Sequence, residues 1–348
     1  MLLFLLACPK PVGPPEVHGL PLIPAPDAPI YSAAPGEPAD PLVAWVVPEG
    51  ALYDETLAGA AVGLAEVIST LGGHDEAALR WACIRAGWPY EVGRVVTVRT
   101  ANDQVPSQIQ VELANETAPF GLARYRDGAG DLWVLITGSI AVMLPPIDRE
   151  PEVGDEVSVR PQASGWTDWQ QRVLPPNEQV RSGPAVYGEP GEWLLELSAM
   201  PLGGPGATAE RQVVARLPIY VGQETPHDGP FLGIDMDKPA ASAVPELALT
   251  YLNVLRDVMR VRDLEGDLLL DSAARNGLAG PMDEPWAKAG YSSGAQVECT
   301  GQTVRGCLDH LFWDIDSRTA LRDPSFGAVG VAAEWTPQGL HLVIELAG

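Results

Sequence analysis

An α+β fold of several domains is what this sequence predicts, from its length, its composition and a change of hydrophobic period along the chain. At 348 residues it exceeds what one core usually serves, and a spacing of about 150 residues per domain leads us to expect three. With 46% hydrophobic, 20% charged and 7% aromatic residues, the composition is that of a globular chain able to bury sizeable cores. Helical spacing near both ends flanks a stretch of short strand-like runs. The expected architecture is an N-terminal α+β domain (42–146), a central antiparallel β-sandwich (148–222) and a C-terminal α+β domain (241–348).

The first residues, Met1-Leu-Leu-Phe-Leu-Leu-Ala7-Cys8, form an apolar run ending in a small residue and a cysteine. This resembles the lipobox of bacterial lipoproteins, and the resemblance implies that Cys8 becomes the acylated N-terminus of an exported protein. The run is shorter than usual and no Lys or Arg precedes it; a start site further upstream would account for both. Residues 9–41 carry Pro21, Pro24, Pro26, Pro29, Pro35, Pro38 and Pro41 among others, which repeatedly remove backbone donors and predict a semi-stiff tether. No other segment approaches the ~18 apolar residues of a membrane helix, so a lipid anchor is the only membrane attachment expected. The net charge of −24, from 22 basic and 46 acidic residues, repels phosphate backbones and argues against a nucleic-acid partner.

In residues 42–146, Leu57, Ala61, Leu64, Ala65 and Ile68 fall at helical spacing before Gly72-Gly73. Residues 77–86 predict a second helix, and 92–99 and 121–137 predict strands, the last two joined by Gly128-Ala-Gly130. In residues 148–222 the runs 156–159, 192–198 and 211–221 are separated by Gly and Pro turns. Val213, Ala215, Leu217, Ile219 and Val221 alternate onto one face, and Pro218 predicts an edge strand or bulge. A Pro/Gly/Asp-rich linker, 223–240, follows. In the last domain Leu247, Tyr251, Val254, Leu255 and Val258 line one helix face, 267–275 predicts another helix, and Thr303 caps a third. Strands at 328–335 and 340–346 close the chain, with Leu340, Leu342, Ile344 and Leu346 facing one way.

Four stretches of this last domain resemble the CAP (SCP-like) extracellular domain. Leu252-Asn253 followed by Arg256 is similar to the family's Asn-x-x-Arg, Ala289-Gly290-Tyr291 to its Ala-Gly-Tyr, and Val297-Glu298-Cys299 to its Gly-Glu-Asn. Residues 317–326, Ser-Arg-Thr-Ala-Leu-Arg-Asp-Pro-Ser-Phe, with Val329-Gly330-Val331 behind them, resemble His-Arg-x-Asn-Leu-Leu-x-Pro-x-Phe and Val-Gly-Val. The resemblance covers under a third of the chain and implies an α-β-α sandwich. It also implies a cleft in which some members bind a divalent metal through two histidines and acidic partners.

The departures bear on function. Ser317 stands where a histidine should precede Arg318, and residues 277–283 hold no histidine for the other position. That leaves a vestigial cleft of Glu298, Ser317 and Arg318, and one carboxylate without imidazoles makes neither a tetrahedral metal site nor an acid/base pair. We expect no catalytic residue, no metal and no cofactor. The chain carries no Gly-x-Ser-x-Gly elbow, phosphate loop or Rossmann fingerprint. His310 and Asp314, one helical turn apart, read as a solvated face, and Asp314, Asp316 and Asp323 lack calcium-loop spacing. Trp166 and Trp169 read as packing residues rather than a sugar platform. Cys299 and Cys307 are close enough in sequence to bridge, and Cys83 reads as a buried thiol.

An internal similarity links the two α+β regions. Phe120-Gly-Leu-Ala-Arg-Tyr125, a turn and 130–136 read like 329–335, a turn and 339–344, and Arg85-Ala-Gly-Trp88 reads like Lys288-Ala-Gly-Tyr291. Either 42–146 is a second, more degenerate CAP-like unit, or both are ordinary glycine-started hairpins. The function expected is that of an exported envelope lipoprotein whose sandwich and CAP-like domains bind a protein, peptidoglycan or glycan partner. The alternatives are a CAP-type hydrolase or peptidase using Glu298, and an apolar-ligand carrier with a groove lined by Leu and Phe.

Overall fold

Aspartate carboxylates set most of the helix starts in the N-terminal region, because each accepts hydrogen bonds from amides that have no partner inside the helix. After a short strand β1 (Ile30–Tyr31), Asp40, Asp54 and Asp75 cap α1 (Pro41–Val46), α2 (Glu55–Leu71) and α3 (Glu76–Ala86), and left-handed Gly72 and Gly87 end α2 and α3. The computed structural model describes residues 29–101, 103–140, 142–161, 165–177, 179–202, 210–226, 238–280 and 284–348. Cys8, His18, His227 and most of the proline-rich segment lie outside these.

Strands β2 (Val92–Thr100), β3 (Phe120–Asp127) and β4 (Gly130–Gly138) form an antiparallel sheet in the order β2-β4-β3. Leu132, Val134 and Ile136 of β4 join the cluster that contains α2. Trp133 and Leu135, on the opposite face, pack with Val43 of α1 and with Ile109 and Leu113 of α4 (Ser107–Ala114). Neither α1 nor α4 is among the elements expected from sequence.

The central strands are antiparallel, as expected. After β5 (Ile147–Asp148), which pairs with β1, come β6 (Glu156–Val157), β7 (Trp166–Leu174), β8 (Arg181–Ser182), β9 (Ala185–Val186), β10 (Gly191–Pro201) and β11 (Gln212–Val221). They build one four-stranded sheet, β11-β10-β7-β8, and a two-stranded ribbon, β6-β9. Pro218 sits on edge strand β11, where its missing donor costs no ladder bond. The expected single apolar face is only half the picture. The run 193–199 of β10 is buried throughout, and Val214, Pro218 and Tyr220 are buried as well as the predicted Ala215, Leu217, Ile219 and Val221. Neighbouring regions meet this sheet: the Tyr31 hydroxyl donates to the Pro218 carbonyl at the free edge of β11 at 2.7 Å, and Arg318 reaches Glu192 of β10.

In the C-terminal region the elements are α5 (Val244–Val258), β12 (Glu265–Gly266), α6 (Leu268–Gly277), α7 (Pro285–Lys288), β13 (Gly294–Gly301), α8 (Val304–Trp313), α9 (Ile315–Arg322), β14 (Ala328–Thr336) and β15 (Gly339–Ala347). The sheet order is β12-β14-β15-β13. Leu340, Leu342, Ile344 and Leu346 pack into the cluster holding α5 and α8, while Ala332 and Val343 on the other face pack on Ala274 of α6. Helices on both faces of one sheet give an α-β-α arrangement.

The two α+β regions match contact by contact. Asp54 and Asp267 each cap a helix whose third residue, Leu57 or Leu270, donates to the cap. A Cβ placed on Gly121 would run into the backbone of Leu57 and Ala58, and one on Gly330 into Leu270 and Asp271. Gly121 pairs with Ile136 as Gly330 pairs with Glu345. Gly130 and Gly339, with φ of 128° and 134°, each lie where a Cβ would meet the carbonyl that ends the neighbouring strand, Thr100 or Gly301. Even the parallel bridge Tyr53–Phe120 has its counterpart in β12 beside β14. Buried residues of all three regions, from Leu57 through Trp193 to Leu342, belong to one contiguous apolar cluster.

Candidate functional site

Strand alternation decides which way Glu298 faces. Cys299 is joined to Cys307 of α8 by a disulfide with a Cα–Cα distance of 5.4 Å, so the Val297, Cys299 and Gly301 positions of β13 face α8. Glu298, one step along, faces the other side of the sheet. Its side chain is 63% exposed and lies 3.7 Å from Nε2 of His341, whose Nδ1 is 3.5 Å from Glu334. This is a surface cross-strand trio, of a kind that contributes about 1 kcal/mol or less to stability.

Ser317 and Arg318 lie in α9, which Asp314 caps by accepting the Ser317 amide at 2.8 Å. From there Arg318 turns toward the central sheet: its guanidinium donates to Glu192 at 2.6 Å and stacks 4.2 Å above the Phe312 ring. The cleft expected from Glu298, Ser317 and Arg318 is therefore not assembled. Glu298 is on the α6 side of the C-terminal sheet, whereas α9 packs with α8 and the central strand β7. The physical reason is the disulfide together with strand alternation, which turn Glu298 away from the helices that carry the other two.

The acidic residues of α9 are engaged as well. Asp316 pairs with Arg172 of β7, and Asp314 with Arg216 of β11 at 2.7 Å. Both arginines also reach the buried Glu196 of β10, at 3.1 and 3.0 Å. Asp323 accepts from the amide and hydroxyl of Ser325. Asp314 and Asp316 fasten α9 to the central sheet. Trp166 and Trp169 pack partly buried against the main core.

The other residues that carry the CAP resemblance do scaffold work. Arg256 is fully buried and donates to the carbonyls of Arg262, Leu321 and Phe326 at 2.7–2.9 Å, tying α5 to the segment behind α9. Asn253 exchanges two hydrogen bonds with the backbone of Leu264. The Tyr291 hydroxyl donates to Asp267, the cap of α6, at 3.0 Å.

Sequence reasoning missed two features. Glu345 is fully buried, its carboxylate oxygens accept no hydrogen bond, and burial pushes its pKa up to about 7. Its alternation with apolar neighbours was legible; its lack of a partner was not. The second is a groove of about 290 Å³ where α3 and the start of β2 meet β11 and α8, with His310 at its edge. Cys83 lies beneath it as a buried free thiol, its pKa pushed up to about 12 by burial. Among the described residues no group of three or more His, Cys, Asp or Glu is arranged to hold a metal ion, and no helix is long and apolar enough to cross a membrane.

No protein-family model and no curated protein matches the chain. Among solved structures it is similar to a cysteine-rich secretory protein of Staphylococcus aureus, at 10% identity over 91% of this chain and 98% of that one, with a TM-score of 0.28. It is similar to a venom allergen-like protein of Schistosoma mansoni, at 11% identity over 30% of this chain and 87% of that one, with a TM-score of 0.27. A third is an extracellular SCP-domain protein of Bacillus anthracis, at 12% identity over 45% of this chain and 64% of that one, with a TM-score of 0.27. At these TM-scores the likenesses carry no argument of their own.

Proposed function

We propose that this chain is an exported envelope lipoprotein whose CAP-like C-terminal region is a non-catalytic interaction module for an envelope protein, peptidoglycan or glycan. The observation that supports it best is the separation of Glu298 from Ser317 and Arg318 by the thickness of a sheet, with Arg318 held by Glu192. General acid/base work needs its groups within hydrogen-bond reach of one substrate atom. In the same reading, residues 42–146 are a second copy of the unit, supported by the matched caps, glycines and strand pairings.

Two experiments address binding and export. Affinity capture from envelope extracts is expected to retain the same partner with wild type and with Glu298→Gln, and loss of capture in the variant would count against a role confined to scaffold surface. For export, protein expressed from its native gene should incorporate labelled fatty acid, and Cys8→Ser should abolish the label. Equal labelling of both would rule out Cys8.

A hydrolase or peptidase using Glu298 remains the second reading, favoured by one contact: His341 Nε2 at 3.7 Å gives Glu298 an imidazole neighbour.

A further inference from the structure

The groove between α3, the start of β2, β11 and α8 is built from one helix face. Glu76, Leu79, Arg80, Cys83 and Ile84, spaced i, i+3, i+4, i+7 and i+8, line it from α3. Trp88 and Tyr90, packed edge-to-face at 5.1 Å, and Val213 and Ala215 of β11 complete an apolar, largely buried floor. At about 290 Å³ it lies at the small end of ligand pockets.

Two guanidiniums stand at this floor. Arg80 donates through Nε to the buried Asp309 at 2.8 Å, and among the described residues its terminal nitrogens make no hydrogen bond. Arg216 uses Nε for Glu196 and one terminal nitrogen for Asp314, which leaves the other. A guanidinium anchored through one edge by a carboxylate is oriented, and its remaining donors are available to a second acceptor. Two carboxylates also reach the lining. Glu76 accepts from the Gln302 amide at 3.3 Å, and Glu91 is exposed. With Asp309, Glu196 and Asp314 these make five carboxylates around two guanidiniums, so net charge opposes an anion and selectivity for a single carboxylate rests on the oriented guanidinium donors alone.

We infer that this groove binds a small amphipathic acid, an aryl or short acyl carboxylate, whose apolar end rests on Trp88 and Tyr90 and whose carboxylate meets Arg80 and Arg216. The inference does not depend on export or on the CAP-like surface, since no residue of the Glu298 trio lines the groove.

The test is calorimetric titration of the full chain with phenylbutyrate, alongside phenylbutanol as an uncharged control of the same shape. The expected result is one saturable site that prefers the acid by about tenfold or more, the scale of a charge-assisted hydrogen bond. Leu79→Trp, which fills the groove from α3, and Val213→Trp, which fills it from β11, should each abolish binding. Arg80→Gln should weaken the acid by about tenfold and leave the alcohol unchanged. Should one filling variant unfold, the other carries the test, and far-ultraviolet circular dichroism identifies which. Absence of saturable binding, survival of binding in a folded filling variant, or equal affinity for acid and alcohol would each overturn the inference.

Discussion

Glu345 occupies the position that Ile136 holds in the N-terminal unit: each pairs with the glycine that lets a helix touch the sheet. An isoleucine there is at ease, whereas a carboxylate without a partner must lose its water. Its folded pKa of about 7 lies above the ordinary glutamate value, so below about pH 4.5 the acid is neutral in both folded and unfolded states and the penalty for burying a charge is absent. Between about pH 4.5 and 7 the unfolded chain gives up this proton while the folded protein holds it, so stability falls across that window and levels off once Glu345 is charged in both states. Glu345→Gln is therefore expected to stabilise the fold by about 1–2 kcal/mol at pH 8 and by much less at pH 5, measured by urea denaturation at the two values. Arg318 is the opposite case, a buried cation with Glu192 and the Phe312 ring as partners. Arg318→Met keeps the stem but removes the pair, and should cost about 2–3 kcal/mol, below the full figure for a buried pair because Glu192 retains some solvent. At this scale the sequence was legible where alternation decides, as at His341, which faces away from the apolar side of β15. It was misleading at Glu298, because a motif match says which residue is present but not which face a neighbouring disulfide assigns to it.

Among elements, those with strong local signals were legible: the helical spacing from Leu57 before Gly72 and the run 77–86 mark α2 and α3, which begin two residues and one residue earlier than expected, directly after Asp54 and Asp75. The hairpin of β3 and β4 and that of β14 and β15 fall where glycine turns place them. Two helices were not legible for physical reasons. The α1 helix has only six residues, and α4 starts after Pro106 with no side-chain cap, so each owes its existence to the core under Trp133 rather than to propensity. The central sheet was half legible, since Glu196, Ser198 and Gln171 look like outward residues but are buried. The proposed equivalence of the two α+β units makes a sharp prediction at this scale. Gly121→Ala and Gly330→Ala each push a methyl into the backbone of the covering helix, α2 or α6. Both should destabilise by a similar ~2–4 kcal/mol in denaturant titrations. A free pass for either one would show that the close helix approach is not shared.

For the whole molecule, the three regions read from sequence share one core, and the arginines of the central sheet bind the acidic start of α9. Long-range packing of this kind leaves no local mark, which is why the chain read as separate domains. The same packing commits the groups near α9 to structure and leaves the Glu298, His341 and Glu334 trio on an exposed strand face. The central proposal, that the C-terminal region binds without chemistry, is tested most directly by a time course of product release. Envelope peptidoglycan and protein fractions would be incubated with wild type and with the Glu298→Gln, His341→Gln double variant, and soluble fragments followed by mass spectrometry. The account predicts that neither protein releases fragments above the protein-free control. Steady release by the wild type that falls by a hundredfold or more in the double variant, the scale of a lost acid/base catalyst, would contradict it.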